Sequence, residues 1–293
     1  MTKGLTASIA SGELRRVIRG VYLPEELAAR RSLRAAHRDL AYAHELLTPH
    51  RHVFSHATAA ALWRLPRIGK WPSTVHTSVT HATGGRSEGR VTRHIVGVPE
   101  SDRIDGLAVT PLLRTVVDIA RSEGFLAGVL ACDRALRGFN EQVVPRTGIG
   151  LDELRDAAQM TSPGRGSAVA REVARFADGL AGSPGESLSR VRMRELRIAS
   201  PELQREFSDR DGRMIVDFCW PAYRVIGEFD GIGKYLREEW TDGRSAAEVV
   251  VDEKWREDRL RRQGWTVVRW GWGDALVVNR LRAVLADVGI RAE

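Results

Sequence analysis

The chain has 293 residues, 43% of them hydrophobic, which is enough for packed cores in two domains of ordinary size and excludes a predominantly disordered chain. It contains no run of about 18 apolar residues, and its first residues, Met-Thr-Lys-Gly-Leu-Thr-Ala-Ser, lack the apolar stretch of a signal peptide, so a cytoplasmic protein with no membrane association is expected. Net charge is +7, and residues 181–293 hold 20 Lys and Arg against 20 Asp and Glu, which puts the whole excess in residues 1–180. A basic first half favours a polyanionic partner, most simply nucleic acid. All eight histidines fall between His37 and His94, while six of the eight tryptophans follow residue 219, as expected of two modules with different tasks. Cys132 and Cys219 have no metal-ligand spacing and read as core residues of a reducing compartment.

In chain order, residues 4–22 read as a short helix and then a small β element, broken at Gly12 and running through Leu14-Arg-Arg-Val-Ile-Arg-Gly-Val-Tyr22. A helix followed by an arginine-rich hairpin is how a winged helix ends, with Arg15, Arg16 and Arg19 placed to contact phosphates. The alternative is a solvated edge, and residues 1–50 are taken as a partial winged-helix-like segment. Glu25 to Leu47 reads as one or two amphipathic helices, and Phe54-Ser-His-Ala-Thr-Ala-Ala-Ala-Leu-Trp63 as a small-residue helix in which His56 is packed or capping rather than a ligand. Val75–Val79 and Val91–Val98 alternate as strands on either side of a loop at 81–89. Helices follow at 111–122 and 124–137, the first opened by Thr110-Pro111. Breakers at Thr161–Ser167 and Leu180–Gly185 frame a helix near 168–179 and put a boundary near 180, giving an α/β region at 51–180 and a final module at 181–293.

That module reads as a helix at 184–198, strands at 205–208, 213–220 and 223–229, a helix at 244–263, a strand at 265–270 and a helix at 274–288. The expected class is α/β (α+β), with a central mixed sheet flanked by helices. Its telling feature is the pair of runs Met214-Ile-Val-Asp-Phe-Cys-Trp220 and Tyr223-Arg-Val-Ile-Gly-Glu-Phe-Asp230, which carry acids where strands are usually apolar. With Trp220 opposite Tyr223, Asp217 and Glu228 become diagonal neighbours on one face, roughly 7–8 Å apart at Cα. Carboxylates converging in this way call for a hard cation, Mg²⁺ (or Mn²⁺), which takes oxygen ligands and keeps positions open for water and phosphate. Asp230 lies on the same face, Glu186 offers a further carboxylate or a capping-box side chain, and Lys234 and Lys254, the module's two lysines, are the candidates for a catalytic cation. An arginine network is the competing partner for these acids. The Glu253–Asp258 run with Arg256, Arg259, Arg261 and Arg262 reads mainly as a solvated helix face, with contact to the DNA backbone as the alternative.

The ordered string Pro184-Gly-Glu-Ser187, Val216-Asp-Phe218, Gly227-Glu-Phe-Asp-Gly231 with Lys234-Tyr235, Asp252-Glu-Lys-Trp-Arg-Glu-Asp258 and Gly264-Trp-Thr-Val-Val-Arg-Trp270 resembles the very-short-patch-repair-like domain of the PD-(D/E)xK endonuclease superfamily. This resemblance implies Glu186, Asp217 and Glu228 as active-site acids, with Asp230 near the metal. Asp230 stands where the superfamily usually carries lysine, and the module contains no histidine. Gly12–Tyr22, Ser55–Trp63 and Gly106–Asp118 resemble the N-terminal region of actinobacterial AbiEi-type antitoxins of type IV toxin–antitoxin systems. The two resemblances together imply a DNA-binding protein with a Mg²⁺-dependent endonuclease-like domain, in phage defence or DNA repair. The alternative is a non-catalytic, antitoxin-like transcriptional regulator with an inactive nuclease fold, partnered by a cognate toxin or by itself. A nuclease directed at RNA is the third option.

Overall fold

The computed structural model describes residues 3–49, 52–80, 90–95, 100–139, 148–231 and 246–292. The expected loop 81–89, the end of the expected strand at 96–98, the start of the expected helix at 244–245, and Lys234 lie outside them. The chain divides into two compact units, Met1–Ala177 and Asp178–Glu293. Both mix helices with strands, which makes the protein α+β. Among the described residues no helix is long and apolar enough to cross a membrane.

The first unit opens with α1 (Lys3–Ala10) and the hairpin β1 (Leu14–Ile18) and β2 (Val21–Pro24), then α2 (Glu25–Ala29) and α3 (Leu33–Leu47). Ser32 caps α3, its hydroxyl accepting from the Ala35 amide at 3.2 Å. Next come β3 (Val53–Phe54), α4 (His56–Leu62), β4 (Val75–Val79), β5 (Val91–Ile95), β6 (Asp102–Ile104) and β7 (Leu107–Val109). The five strands order as β5-β4-β3-β7-β6. Every residue of α4 is buried, as its alanines allow. His56 in it is packed rather than open, with Nδ1 3.1 Å from the Ser55 hydroxyl. Four helices complete the unit: α5 (Leu112–Glu123), α6 (Phe125–Arg137), α7 (Leu151–Met160) and α8 (Ser167–Phe176).

The second unit contains α9 (Pro184–Glu195), β8 (Glu202–Asp209), β9 (Gly212–Trp220), a 3₁₀ turn at Pro221–Tyr223, β10 (Val225–Asp230), α10 (Ala246–Arg262), β11 (Thr266–Gly271), α11 (Trp272–Ala275) and α12 (Val278–Asp287). Its sheet orders as β11-β10-β9-β8, with β10 and β11 parallel and the other pairs antiparallel. A parallel neighbour requires a crossover connection, and α10 lies in it. Phe207, Met214, Val216, Cys219, Ile226 and Leu260 form one core cluster. The rings of Phe218 and Trp270 stack with centroids 5.2 Å apart, and the Trp270 indole N–H donates to the Ser189 hydroxyl of α9 at 2.8 Å. Gly227 is required beneath these rings, since a Cβ there would sit 2.5 Å from Trp270.

The hairpin register differs from the sequence-based expectation by two residues. Val225, not Tyr223, pairs with Trp220, followed by Ile226 with Cys219 and Gly227 with Phe218. Pro221 starts a 3₁₀ turn closed by Arg224 in the left-handed region, φ 51°, and this turn absorbs the residues assigned to pairing. A shift of two preserves the faces. It replaces the diagonal relation of Asp217 and Glu228 with a direct one.

Candidate functional site

Continued by one step, the β9–β10 register sets Asp217 opposite Glu228, and the β8–β9 register sets Asp217 opposite Gln204. On its other side Glu228 pairs with Arg269 of β11. The result is one row across the sheet: Gln204, Asp217, Glu228, Arg269. Gln204 has φ 49°, a conformation uncommon outside glycine, and the recorded ladder skips the Gln204–Asp217 position. Between β9 and β10 the ladder ends at Phe218–Gly227, and the Phe229 amide beyond it donates to Asp217 Oδ2 at 2.8 Å. A carboxylate thus takes a backbone position in the ladder.

Glu186 joins from the first turn of α9. Ser183 caps that helix, accepting from the Glu186 amide at 3.2 Å, and Glu186 Oε2 accepts from the Gly182 amide at 2.6 Å. This is close to the expected capping box, with the glutamate reaching one residue further back. The same oxygen accepts from Gln204 Nε2 at 3.1 Å, and that amide reaches Asp217 Oδ1 at 3.4 Å. Gln204 therefore links the two acids.

Glu228 is 5% exposed. Burial pushes its carboxyl up to about 7, and repulsion from Asp217 adds to this, although Arg256 of α10 opposes both. Arg256 donates to Glu228 Oε1 at 2.8 Å and also to the Ile215 carbonyl. Asp230 is held by Arg269 at 3.2 Å, and the same guanidinium donates to Glu253 at 3.0 Å and Glu257 at 3.1 Å. The structure thus brings Glu186, Asp217 and Glu228 into one neighbourhood and ties Asp230 into the competing arginine network. Lys254 is exposed, and no ion pair between it and Asp258 appears among the described residues. The cation that reaches Glu228 is Arg256, two residues on, beside Trp255, which is 62% exposed. Among the described residues, no three His, Cys, Asp or Glu groups are spaced to hold a metal ion.

Sequence reasoning did not single out Gln204 or Arg269, and it read Arg256 only as one member of a charged run. Gln204 could have been found by pairing the expected strand at 205–208, extended by one residue, with Asp217. Arg256 was hidden in a charged run that reads as a solvated face.

On the β1–β2 hairpin, Arg15 and Arg16 are consecutive, so their side chains leave opposite faces. Arg15 Nε donates to Glu25 at 2.9 Å. Arg16 and Arg19 are exposed.

No family model matches the chain, and no solved structure matches it significantly. Two curated relatives, uncharacterized proteins of Mycobacterium tuberculosis strains CDC 1551 / Oshkosh and H37Rv, are each 33% identical over 167 residues, covering 57% of this chain and 55% of theirs. The chain thus spans about half the length of the curated relatives it matches.

Proposed function

We propose that the second unit is a nucleic-acid phosphodiesterase domain in which Asp217 and Glu228 hold Mg²⁺ or Mn²⁺, with DNA as the favoured substrate. The observation that carries this reading is the placement of two carboxylates side by side in the middle of a sheet, one of them buried and pushed up to about 7. Such a pair has a surplus of negative charge that Arg256 does not cancel. The donor set fits the ion: Mg²⁺ is commonly bound by one or two carboxylates, with water and substrate phosphate filling the other positions. Bound there, it would supply Lewis-acid activation of the phosphodiester and of water.

The chain's own residues do the positioning. Gln204, whose amide also donates to Glu186, holds one oxygen of Asp217, and the Phe229 amide holds the other. Arg256 orients Glu228. Trp255, next to Arg256 on α10 and exposed, offers a face for an unpaired base, whereas Lys254, two residues before Arg256, leaves the helix on nearly the opposite side.

A second reading has an observation in its favour. The Gln204 amide and the Arg256 guanidinium already bind the carboxylates, which suits a domain that binds nucleic acid without cutting it, as in a regulator. Plasmid cleavage in Mg²⁺ or Mn²⁺ separates the two, run beside Asp217→Asn, with a structured RNA as a parallel substrate. The nuclease reading expects cleavage by the wild type and at least a hundredfold loss in the variant. Equal background in both, with retained DNA retardation, would establish the binding domain instead.

A further inference from the structure

The first unit contains a cleft of about 550 Å³ whose lining includes four arginines, Arg93, Arg114, Arg121 and Arg165, against one carboxylate, Asp118. The sequence scatters these residues over β5, α5 and the segment before α8. Asp118, itself buried, accepts from Arg114 through Nε alone, at 2.9 Å to each oxygen. The terminal nitrogens of Arg114 thus remain available to a ligand. No ion pair among the described residues engages Arg93, Arg121 or Arg165.

Four guanidinium groups drawn to one cleft around a single carboxylate repel one another, so the fold must impose the gathering. Gly166 shows how it does so. It enters α8 in the left-handed region, φ 77°, packed so closely on α5 that a Cβ would lie 2.0 Å from the Arg121 carbonyl oxygen. That close approach, possible only for glycine, brings Arg165 up to Arg121. The cleft's remaining wall includes His56 and His94, whose rings stack at 3.5 Å between centroids. The second ring is itself tied to the sheet, His94 Nε2 lying 3.0 Å from His76 Nδ1.

The geometry points to a binding site for a phosphate monoester of about mononucleotide size, its phosphate held by Arg93, Arg114 and Arg121 and its organic part lying toward the histidine pair. Guanidinium groups suit this task because their N–H fork matches phosphate oxygens two at a time. The volume lies in the range of small-ligand sites, roughly 300–1,000 Å³. All the lining residues belong to the first unit, and the assignment does not depend on the function of the second unit's carboxylates.

Calorimetric titration of the full chain with adenosine 5′-monophosphate, inorganic phosphate and adenosine tests it. Saturable binding of the monophosphate and of phosphate, with none of adenosine, is expected. Arg93→Gln and Arg121→Gln should each weaken binding tenfold or more with unchanged thermal unfolding, and Asp217→Asn should bind as the wild type does. An octanucleotide with and without its 5′-phosphate then identifies the source: a gain from the phosphate assigns the cleft to strand ends, and no gain assigns it to free small molecules. Adenosine binding as tightly as its monophosphate, no binding of either phosphate compound at millimolar concentration, or indifference to both arginine variants would overturn the assignment.

Discussion

Glu228→Gln isolates the electrostatics of the carboxylate row. Burial holds this carboxyl at about 7 in the folded chain against an ordinary value of 4.5, and at about 1.36 kcal/mol per unit that displacement corresponds to about 3 kcal/mol. The folded state keeps the proton that the unfolded chain has released. The corresponding stability is therefore complete below pH 4.5 and is lost as pH rises through 7. Glutamine imitates the protonated acid at every pH. The variant should match the wild type near pH 4 and exceed it at pH 8 by up to about 3 kcal/mol, a figure in which the opposing ion pair with Arg256 is already included. Urea unfolding followed by tryptophan fluorescence is suited to the measurement, because six of the eight tryptophans lie beyond residue 219. Adding Mg²⁺ at pH 8 should stabilise the wild type more than the variant, which keeps only Asp217 of the proposed ligand pair. Two stability curves that stay parallel from pH 4 to pH 8 would refute the reasoning about Glu228.

Two further expectations concern the frame around the row. Gly227→Ala puts a methyl group against the Trp270 and Trp220 rings and should cost about 1–3 kcal/mol, read as a lower urea midpoint at an unchanged slope. Ser189→Ala leaves the buried Trp270 indole N–H without its acceptor and should cost about 1–3 kcal/mol in the same assay.

The second unit was largely legible in the sequence because its elements have strong periods and clear stops. Ser183-Pro184 starts α9 where the cap chemistry requires, Gly264 ends the turn after α10, and the alternation from Met214 to Trp220 marks a strand with one acid in it. The register was not legible. Trp220-Pro-Ala-Tyr223 can close a tight hairpin or begin a 3₁₀ turn, and only packing of the flanking strands selects the second. The role of Arg256 was equally hidden, since a helical repeat of charges shows which residues share a face but not which face meets the sheet. In the first unit, β3, β6 and β7 have two or three residues each, too few for a period to register. The arginine cleft draws its members from positions 93 to 165, so no local motif could announce it.

The order β11-β10-β9-β8 makes both acid-bearing strands interior ones. Each acid thus has a strand on both sides, although backbone pairing lapses at Asp217 on both of its sides and at Glu228 on the β9 side, where side-chain hydrogen bonds take over. The arrangement also makes the last strand indispensable. A chain ending at Gly264 would keep every carboxylate discussed above yet lack β11, turning β10 into an open edge with unpaired N–H and C=O groups, the template on which chains join one another. For this protein, the residues that guard against aggregation are therefore partly those that seat the charge row, and C-terminal shortening past Thr266 should be expected to affect solubility before chemistry.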